Sequence, residues 1–168
     1  MARKCFYSFH YKKDNWRVSQ VRNIGAIEGN KPASDNDWES ITKGGDKKIK
    51  EWIDEQMKGR TCTVILAGSQ TADRKWINYE IKKSWEDGKG VFVIFIHNLK
   101  DSEGNQSSKG SNPLYYVSIK DDNINKRLSN IAKAYNPDET DSAMVYKYIK
   151  DNIENWIEEA IKIRKEYE

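Results

Sequence analysis

The sequence has 168 residues, of which 37% are hydrophobic and 33% charged, and its 29 basic and 26 acidic side chains leave a formal net charge of +3. That length suits one compact domain, 1–168, and the interleaving of basic with acidic residues argues against a nucleic-acid partner. Two cysteines, Cys5 and Cys62, are too few for a disulfide framework, and no apolar run approaches the length of a membrane span. We therefore expect a cytoplasmic protein with reduced thiols and no membrane partner.

The first part of the chain predicts two strands and two helices. Residues 5–9 are short and rich in aromatic side chains, which favours a strand, and Asp14 is a candidate cap for a helix after it. Residues 24–45 are rich in Gly, Asn, Ser and Asp and predict a long loop. A second helix is expected from Asp46 onward. Residues 61–67 are β-branched and almost entirely apolar, which is typical of a strand buried on both faces.

The next part of the chain predicts a βαβ unit. A turn at 68–71 precedes a helix over 74–87, and the apolar run 91–96 predicts the following strand. Strand, helix and strand at this spacing indicate a parallel sheet. The polar segment 98–113 is long for a plain connection, so three roles are open: a lid, a contact loop or a surface decoration.

The last third of the chain is interpreted from its pattern alone. Residues 114–119 predict a fourth, edge strand, and residues 123–135 predict a short helix. From Asp141 onward, apolar residues recur at alternating steps of three and four, which is typical of a long amphipathic helix. The apolar stripe of this helix fits the core, and one side of it also fits an oligomer contact.

Motifs of several common α/β proteins are absent from the sequence. It contains no G-x-G-x-x-G after a strand, no P-loop and no G-x-S-x-G elbow. The predicted strands do not end in the aspartate of a phosphoacceptor domain. Two histidines without metal-ligand spacing argue against a metal site. We therefore expect neither a metal nor a bound cofactor.

Ligands of parallel sheets bind beyond the carboxyl ends of the strands, and this rule selects a short set of residues. They are Ser8, Phe9, His10 and Tyr11, then Gly68, Ser69, Gln70 and Thr71, then His97 and Asn98. Trp76 and Glu80 lie four residues apart and share one face of the next helix. At ~100° per residue, Glu80 lies about 60° from the apolar stripe of that helix, which makes it a boundary carboxylate. Spacing alone favours an ordinary surface glutamate, although a carboxylate in a cleft is a common functional arrangement.

Four segments in fixed order carry a resemblance that covers residue 4 to about residue 117. They are Ser8-Phe9-His10-Tyr11, Gly68-Ser69-Gln70-Thr71, Trp76-Ile77-Asn78-Tyr79-Glu80-Ile81, and a loop with Lys100-Asp101, Gly104-Asn105, Ser108-Lys109-Gly110 and Asn112-Pro113. A related set resembles TIR domains in general: Phe6-Tyr7-Ser8-Phe9, the strand ending in Leu66-Ala67-Gly68-Ser69, and Arg74-Lys75-Trp76-Ile77-Asn78-Tyr79-Glu80. All four together are similar to the TIR-like proteins of bacterial Thoeris anti-phage defence.

The resemblance implies an α/β, flavodoxin-like TIR-type fold with a parallel sheet of about 4–5 strands flanked by helices. It also implies an enzyme that cleaves NAD, as substrate, at the nicotinamide–ribose bond and makes a cyclic ADP-ribose-type signal for a separate effector. Glu80 is then the catalytic residue. The substrate-binding residues would be Phe6, Ser8, Phe9, His10, Ser69 and Trp76. A homo-oligomer or a phage-derived trigger is an expected partner, and Trp38 either reaches the site or packs in a satellite core.

Two other functions stay open at this point. Many TIR domains are non-catalytic interaction modules, and a nucleoside 2-deoxyribosyltransferase-like enzyme would also place a glutamate beside an aromatic strand end. A cyclase must exclude water, because water as the acceptor would give ADP-ribose instead. The 98–113 segment or a second subunit is expected to provide that exclusion.

Overall fold

A parallel five-stranded sheet forms the centre of the molecule, for which a computed structural model describes residues 3–25, 27–30 and 40–168. The described strands are β1 (Arg3–Phe9), β2 (Ile27–Gly29), β3 (Cys62–Ala67), β4 (Gly90–Phe95), β5 (Ser118–Asp121), β6 (Ile124–Arg127) and β7 (Ala134–Tyr135). Five of them pair in parallel in the order β2-β1-β3-β4-β7. The remaining pair, β5 and β6, forms a separate antiparallel hairpin. The prediction of an α/β fold with a parallel sheet is confirmed.

Helices cover both faces of the sheet. Their bounds are α1 (Tyr11–Arg22), α2 (Gly45–Met57), α3 (Lys75–Glu86) and α4 (Ser142–Lys165), and residues 40–43 are also helical. Because side chains alternate along a strand, Tyr7 and Phe92 pack with α1 and α4 on one face. Phe6 packs with α2 on the other face, where Ile65 and Val93 pack with α3. The sheet therefore lies between two helical layers.

The predicted C-terminal helix is confirmed. The Asp141 side chain accepts hydrogen bonds from the backbone N–H groups of Ala143 and Met144, which caps α4. The apolar stripe of α4 packs in the core. Cys5 and Cys62 are buried, unpaired neighbours across β1 and β3. Within the described residues, no helix combines the length and the apolarity needed to cross a membrane.

Four predictions along the chain are wrong. Asp14 does not cap the first helix, because α1 begins at Tyr11 with His10 as its N-cap, and Asp14 lies inside α1 next to Arg17. The 24–45 segment is not only loop, because β2 at Ile27–Gly29 adds a strand to the sheet edge. Residues 114–119 do not form an edge strand of the sheet: Pro113–Tyr116 is a 3₁₀ turn. Residues 123–135 do not form a helix, because they contain β6, a 3₁₀ turn and β7. Asp122 and Asn123 adopt φ of 51° and 65°, the left-handed conformation that a two-residue hairpin turn requires.

Candidate active site

A cavity of about 480 Å³ opens at the carboxyl end of β1, between α2 and α3. This is the edge at which parallel sheets bind ligands, and the volume falls in the usual range for small-molecule sites. Its lining residues come from four parts of the chain: Phe6, Tyr7, Phe9, His10, Tyr11 and Lys12; Asn30; Trp52 and Ile53; and Asp73, Arg74, Lys75, Trp76, Ile77 and Glu80.

Glu80 is a buried carboxyl group of this cavity. It lies on α3 with 8% of its surface exposed, and Ser8 Oγ on β1 donates a hydrogen bond of 3.3 Å to Glu80 Oε1. Burial raises the pKa of Glu80 well above its ordinary value, and the hydrogen bond from Ser8 opposes that rise. Glu80 is therefore more buried than its position on α3 predicted. The reason is that α2 packs beside α3 and covers the side of α3 that carries Glu80.

Basic side chains surround the mouth of the cavity. Lys75 forms an ion pair with Asp46, whereas Lys12 and Arg74 have no carboxylate partner among the described residues. Lys12 lies in the first turn of α1, and Arg74 is the N-cap of α3, whose first turn has no acidic residue. Cations at helix amino termini are disfavoured by the helix dipole, so this arrangement raises the positive potential at the mouth. It favours an anionic ligand.

Aromatic rings form much of the cavity wall. Phe6 is buried in the sheet, while Trp52 and Trp76 are partly exposed on α2 and α3. Trp76 meets Tyr79 edge-on with ring centroids 5.8 Å apart, and the Tyr79 hydroxyl donates to Asp54 Oδ1 at 2.7 Å. The bond from Tyr79 to Asp54 joins α3 to α2. A flat, apolar ring of a ligand fits such walls.

The structure brings most of the predicted site residues together. Phe6, Phe9, His10, Trp76 and Glu80 line the cavity, and Ser8 contacts Glu80. Ser69 does not line it and lies in the turn after β3. Trp38 is outside the described residues.

Several lining residues were missed by the sequence analysis. Asn30 follows a strand of three residues, which is too short to show a periodic pattern, and Trp52 lies on a helix whose position beside the cavity depends on tertiary packing. Arg74 and Lys12 are surface cations whose only signal is their position at a helix start.

Comparison with known proteins identifies the family. Residues 6–101 match the family model described as "Thoeris protein ThsB, TIR-like domain", a span that contains every lining residue of the cavity. The chain belongs to this Thoeris TIR-like family. It is also 37% identical over 133 residues to a Bacillus cereus (strain MSX-D12) protein named "Putative cyclic ADP-D-ribose synthase ThsB1", an alignment that covers 76% of this chain and 69% of that relative.

In this Thoeris TIR-like chain, the 68–71 turn packs against its neighbours rather than against the cavity. Thr71 Oγ1 accepts a hydrogen bond from the Gly68 N–H at 2.9 Å. A Cβ atom at Gly68 would lie 2.2 Å from Asp14 Oδ2, and one at Gly110 would lie 2.5 Å from the Gly68 carbonyl oxygen. Glycine at both positions therefore permits close approach of three segments.

The 98–113 segment of the family member is held on the ends of β3 and β4. Arg17 Nε donates to the Leu99 carbonyl at 2.8 Å, and Arg17 Nη2 donates to the Asn105 carbonyl at 3.0 Å. The Ser107 N–H bonds the His97 carbonyl at 2.9 Å, and Lys109 Nζ lies 4.3 Å from the centre of the Phe95 ring. Since none of this segment lines the cavity, it acts as a fixed cover over the neighbouring strand ends.

Among the described residues, no group of three or more His, Cys, Asp or Glu side chains is arranged to hold a metal ion.

Proposed function

We propose that this Thoeris TIR-like protein cleaves NAD at the nicotinamide–ribose bond and converts the remainder into a cyclic ADP-ribose-type signal. The observation that carries this proposal is the buried Glu80–Ser8 pair in a cavity with aromatic walls and a basic mouth. The name of the relative described above, "Putative cyclic ADP-D-ribose synthase ThsB1", points to the same chemistry. The signal would act on a separate effector protein.

The reaction breaks one bond and forms another. The nicotinamide nitrogen takes the electron pair of the glycosidic bond and leaves as the neutral base, and the ribose becomes an oxocarbenium-like cation. An ionised Glu80 next to that ribose stabilises its positive charge, the same logic as in glycoside hydrolysis. Attack by water, with loss of a proton, gives ADP-ribose. Attack by a nucleophilic atom of the same molecule gives a cyclic product.

Substrate binding prepares Glu80 for this role. Without a ligand, burial raises its pKa and favours the neutral acid. The nicotinamide ring of NAD is positively charged. Next to Glu80 it lowers the pKa of that carboxyl group and favours the carboxylate. The diphosphate of the same substrate matches the cations at the mouth.

The direct test is incubation with NAD followed by mass analysis of the products. It is done with the purified protein and in cells under phage challenge, because a phage component or assembly is a proposed trigger. Release of nicotinamide with a cyclic product supports the proposal. Cleavage of deoxynucleosides but not NAD would indicate the deoxyribosyltransferase-like enzyme, and no turnover in either setting would favour a non-catalytic interaction module.

Removal of the two unpaired cations at the mouth is expected to weaken substrate capture. The double variant Lys12→Gln/Arg74→Gln should raise KM for NAD by roughly tenfold, with little change in kcat, because both side chains act on the diphosphate through long-range attraction. Steady-state kinetics at several salt concentrations provide the measurement. The dependence of kcat/KM on salt should become shallower in the variant.

A control for this variant is available on α4. Lys150→Gln/Lys162→Gln removes the same two charges from exposed positions on the opposite helical layer. It should leave KM and its salt dependence unchanged. Equal effects of the two double variants would show that net charge, and not the mouth, controls capture.

A further inference from the structure

Asn30 places a fixed carboxamide group at the cavity. It follows β2, lines the cavity and has only 2% of its surface exposed. Its side-chain oxygen Oδ1 accepts a hydrogen bond of 2.7 Å from the backbone N–H of Tyr7. Since a backbone N–H can only donate, the oxygen must occupy this position, and the orientation of the amide is therefore determined.

This orientation leaves the NH₂ group of Asn30 with two hydrogens to donate. Among the residues that the structure describes, no acceptor bonds them. Because Asn30 lines the cavity, this NH₂ group is a donor that a molecule in the cavity can reach. A ligand in the cavity that Asn30 lines would supply the missing acceptor.

The backbone at Asn30 is also held in place. Arg22 Nη1 donates to the Asn30 carbonyl, and the same guanidinium lies 4.8 Å from the centre of the Tyr7 ring. A Cβ atom at Gly29 would lie 2.4 Å from Tyr7 Cε2, so the strand before Asn30 packs directly on that ring. Buried Arg22 Nε and Nη2 have no partner among the described residues. The bond from Arg22 to the Asn30 carbonyl and the bond from the Tyr7 N–H to Asn30 Oδ1 therefore hold this residue in position before any ligand binds.

The order of groups in NAD assigns the acceptor. Asn30 contacts β1 at Tyr7, and Glu80 contacts it at the next residue, Ser8. If Glu80 faces the ribose and the basic mouth holds the diphosphate, the nicotinamide is the group that remains for the part of the cavity beside Asn30. Its carboxamide oxygen is the acceptor that an NH₂ donor requires.

We propose that Asn30 binds the carboxamide oxygen of the nicotinamide ring, an assignment that depends on the proposed function. The interaction also favours the reaction. As the glycosidic bond breaks, the ring gains an electron pair and its carboxamide oxygen becomes more electron-rich. A donor that is already in place therefore binds the departing nicotinamide more strongly in the transition state than in bound NAD.

The test compares neutral ring ligands, so that charge does not obscure the hydrogen bond. NMR titrations measure nicotinamide, 3-acetylpyridine and 3-methylpyridine with the unmodified chain, Asn30→Asp and Asn30→Ala. Asn30→Asp keeps an acceptor for the Tyr7 N–H but removes both donors. We expect the unmodified chain to prefer the two ligands with a carbonyl by roughly tenfold over 3-methylpyridine, and both variants to lose that preference.

The outcomes separate this assignment from the proposed function. Calorimetric titration of NAD into Glu80→Gln, which retains Asn30, is performed in parallel. If NAD binds but the ring preference is absent or persists in folded Asn30→Asp and Asn30→Ala, the assignment of Asn30 is overturned and the proposed function stands. If NAD binds neither to the purified variant nor to the variant in lysate of phage-infected cells, the proposed function fails, and the assignment fails with it.

Discussion

The variant Glu80→Gln is expected to lose NAD cleavage by a factor of at least about 10²–10³, the usual effect of removing one electrostatic stabiliser of a transition state. Glutamine keeps the shape of the side chain and can still accept the hydrogen bond from Ser8 Oγ. It cannot supply the negative charge that the ribose cation needs. The measurement is nicotinamide release by mass analysis, in vitro and under phage challenge.

The same substitution is expected to stabilise the protein in a pH-dependent way. Because burial raises the pKa of Glu80 in the folded state, ionisation of Glu80 costs stability as the pH rises above the unfolded value of about 4.3. Glutamine does not ionise. The Tm of Glu80→Gln should therefore match that of the unmodified chain in acid and exceed it increasingly toward alkaline pH.

Two outcomes would contradict these expectations for Glu80. Unchanged NAD turnover in the folded variant would exclude Glu80 as the catalytic carboxylate. If the Tm difference between Glu80→Gln and the unmodified chain does not vary with pH, the pKa of Glu80 is not raised in the folded state. Glu154→Gln, at an exposed position on α4, is the matched control and should alter neither property.

The sequence predicted the parts of the fold that have long, uniform patterns. The apolar runs of β3 and β4 and the stepped stripe of α4 are long enough for periodicity to identify them. By contrast, β2 and β7 have three and two residues, and no pattern can be detected in so few positions. Asn30, which depends on β2 for its position, was missed for the same reason.

The site was predicted less completely than the sheet. The strand-end rule selected Ser8, Phe9 and His10, and helical spacing placed Glu80 close to the core stripe. The proximity of α2 to α3 depends on tertiary packing, so spacing could not show that Glu80 is buried or that Trp52 lines the cavity. The catalytic role of Glu80 came from the family resemblance, and it stays a prediction.

Exclusion of water is a separate requirement for a cyclic product. The 98–113 segment covers the ends of β3 and β4, where Ser107 and Gly110 contact the strand ends and Arg17 of α1 bonds the segment. It contributes no lining residue to the cavity beside β1. Of the two expected sources of exclusion, the fixed position of this segment favours the second subunit. That interpretation stays a prediction.

The variant Arg17→Met is expected to destabilise the fold by about 3–5 kcal/mol, the usual result of removing one partner of a buried ion pair. Arg17 is 3% exposed, and its Nη1 lies 3.3 Å from Oδ1 of the fully buried Asp14. The same guanidinium bonds the carbonyls of Leu99 and Asn105. For a chain of this length, the loss corresponds to a decrease in Tm on the order of 10 °C, measured by thermal unfolding.

The uncompensated carboxylate of Asp14 should account for much of that loss. Burial already raises the pKa of Asp14, and Arg17 opposes the rise, so its removal raises the pKa further. The stability that Arg17→Met loses should therefore increase as the pH rises above about 3.9, the ordinary pKa of an aspartate. Asp14→Asn/Arg17→Met carries no buried charge and should recover a large part of the lost stability at pH 8. If the double variant is as unstable as Arg17→Met at every pH, the ion pair with Asp14 is not the cause of the loss. The stabilising contacts of Arg17 are then its bonds to the 98–113 segment.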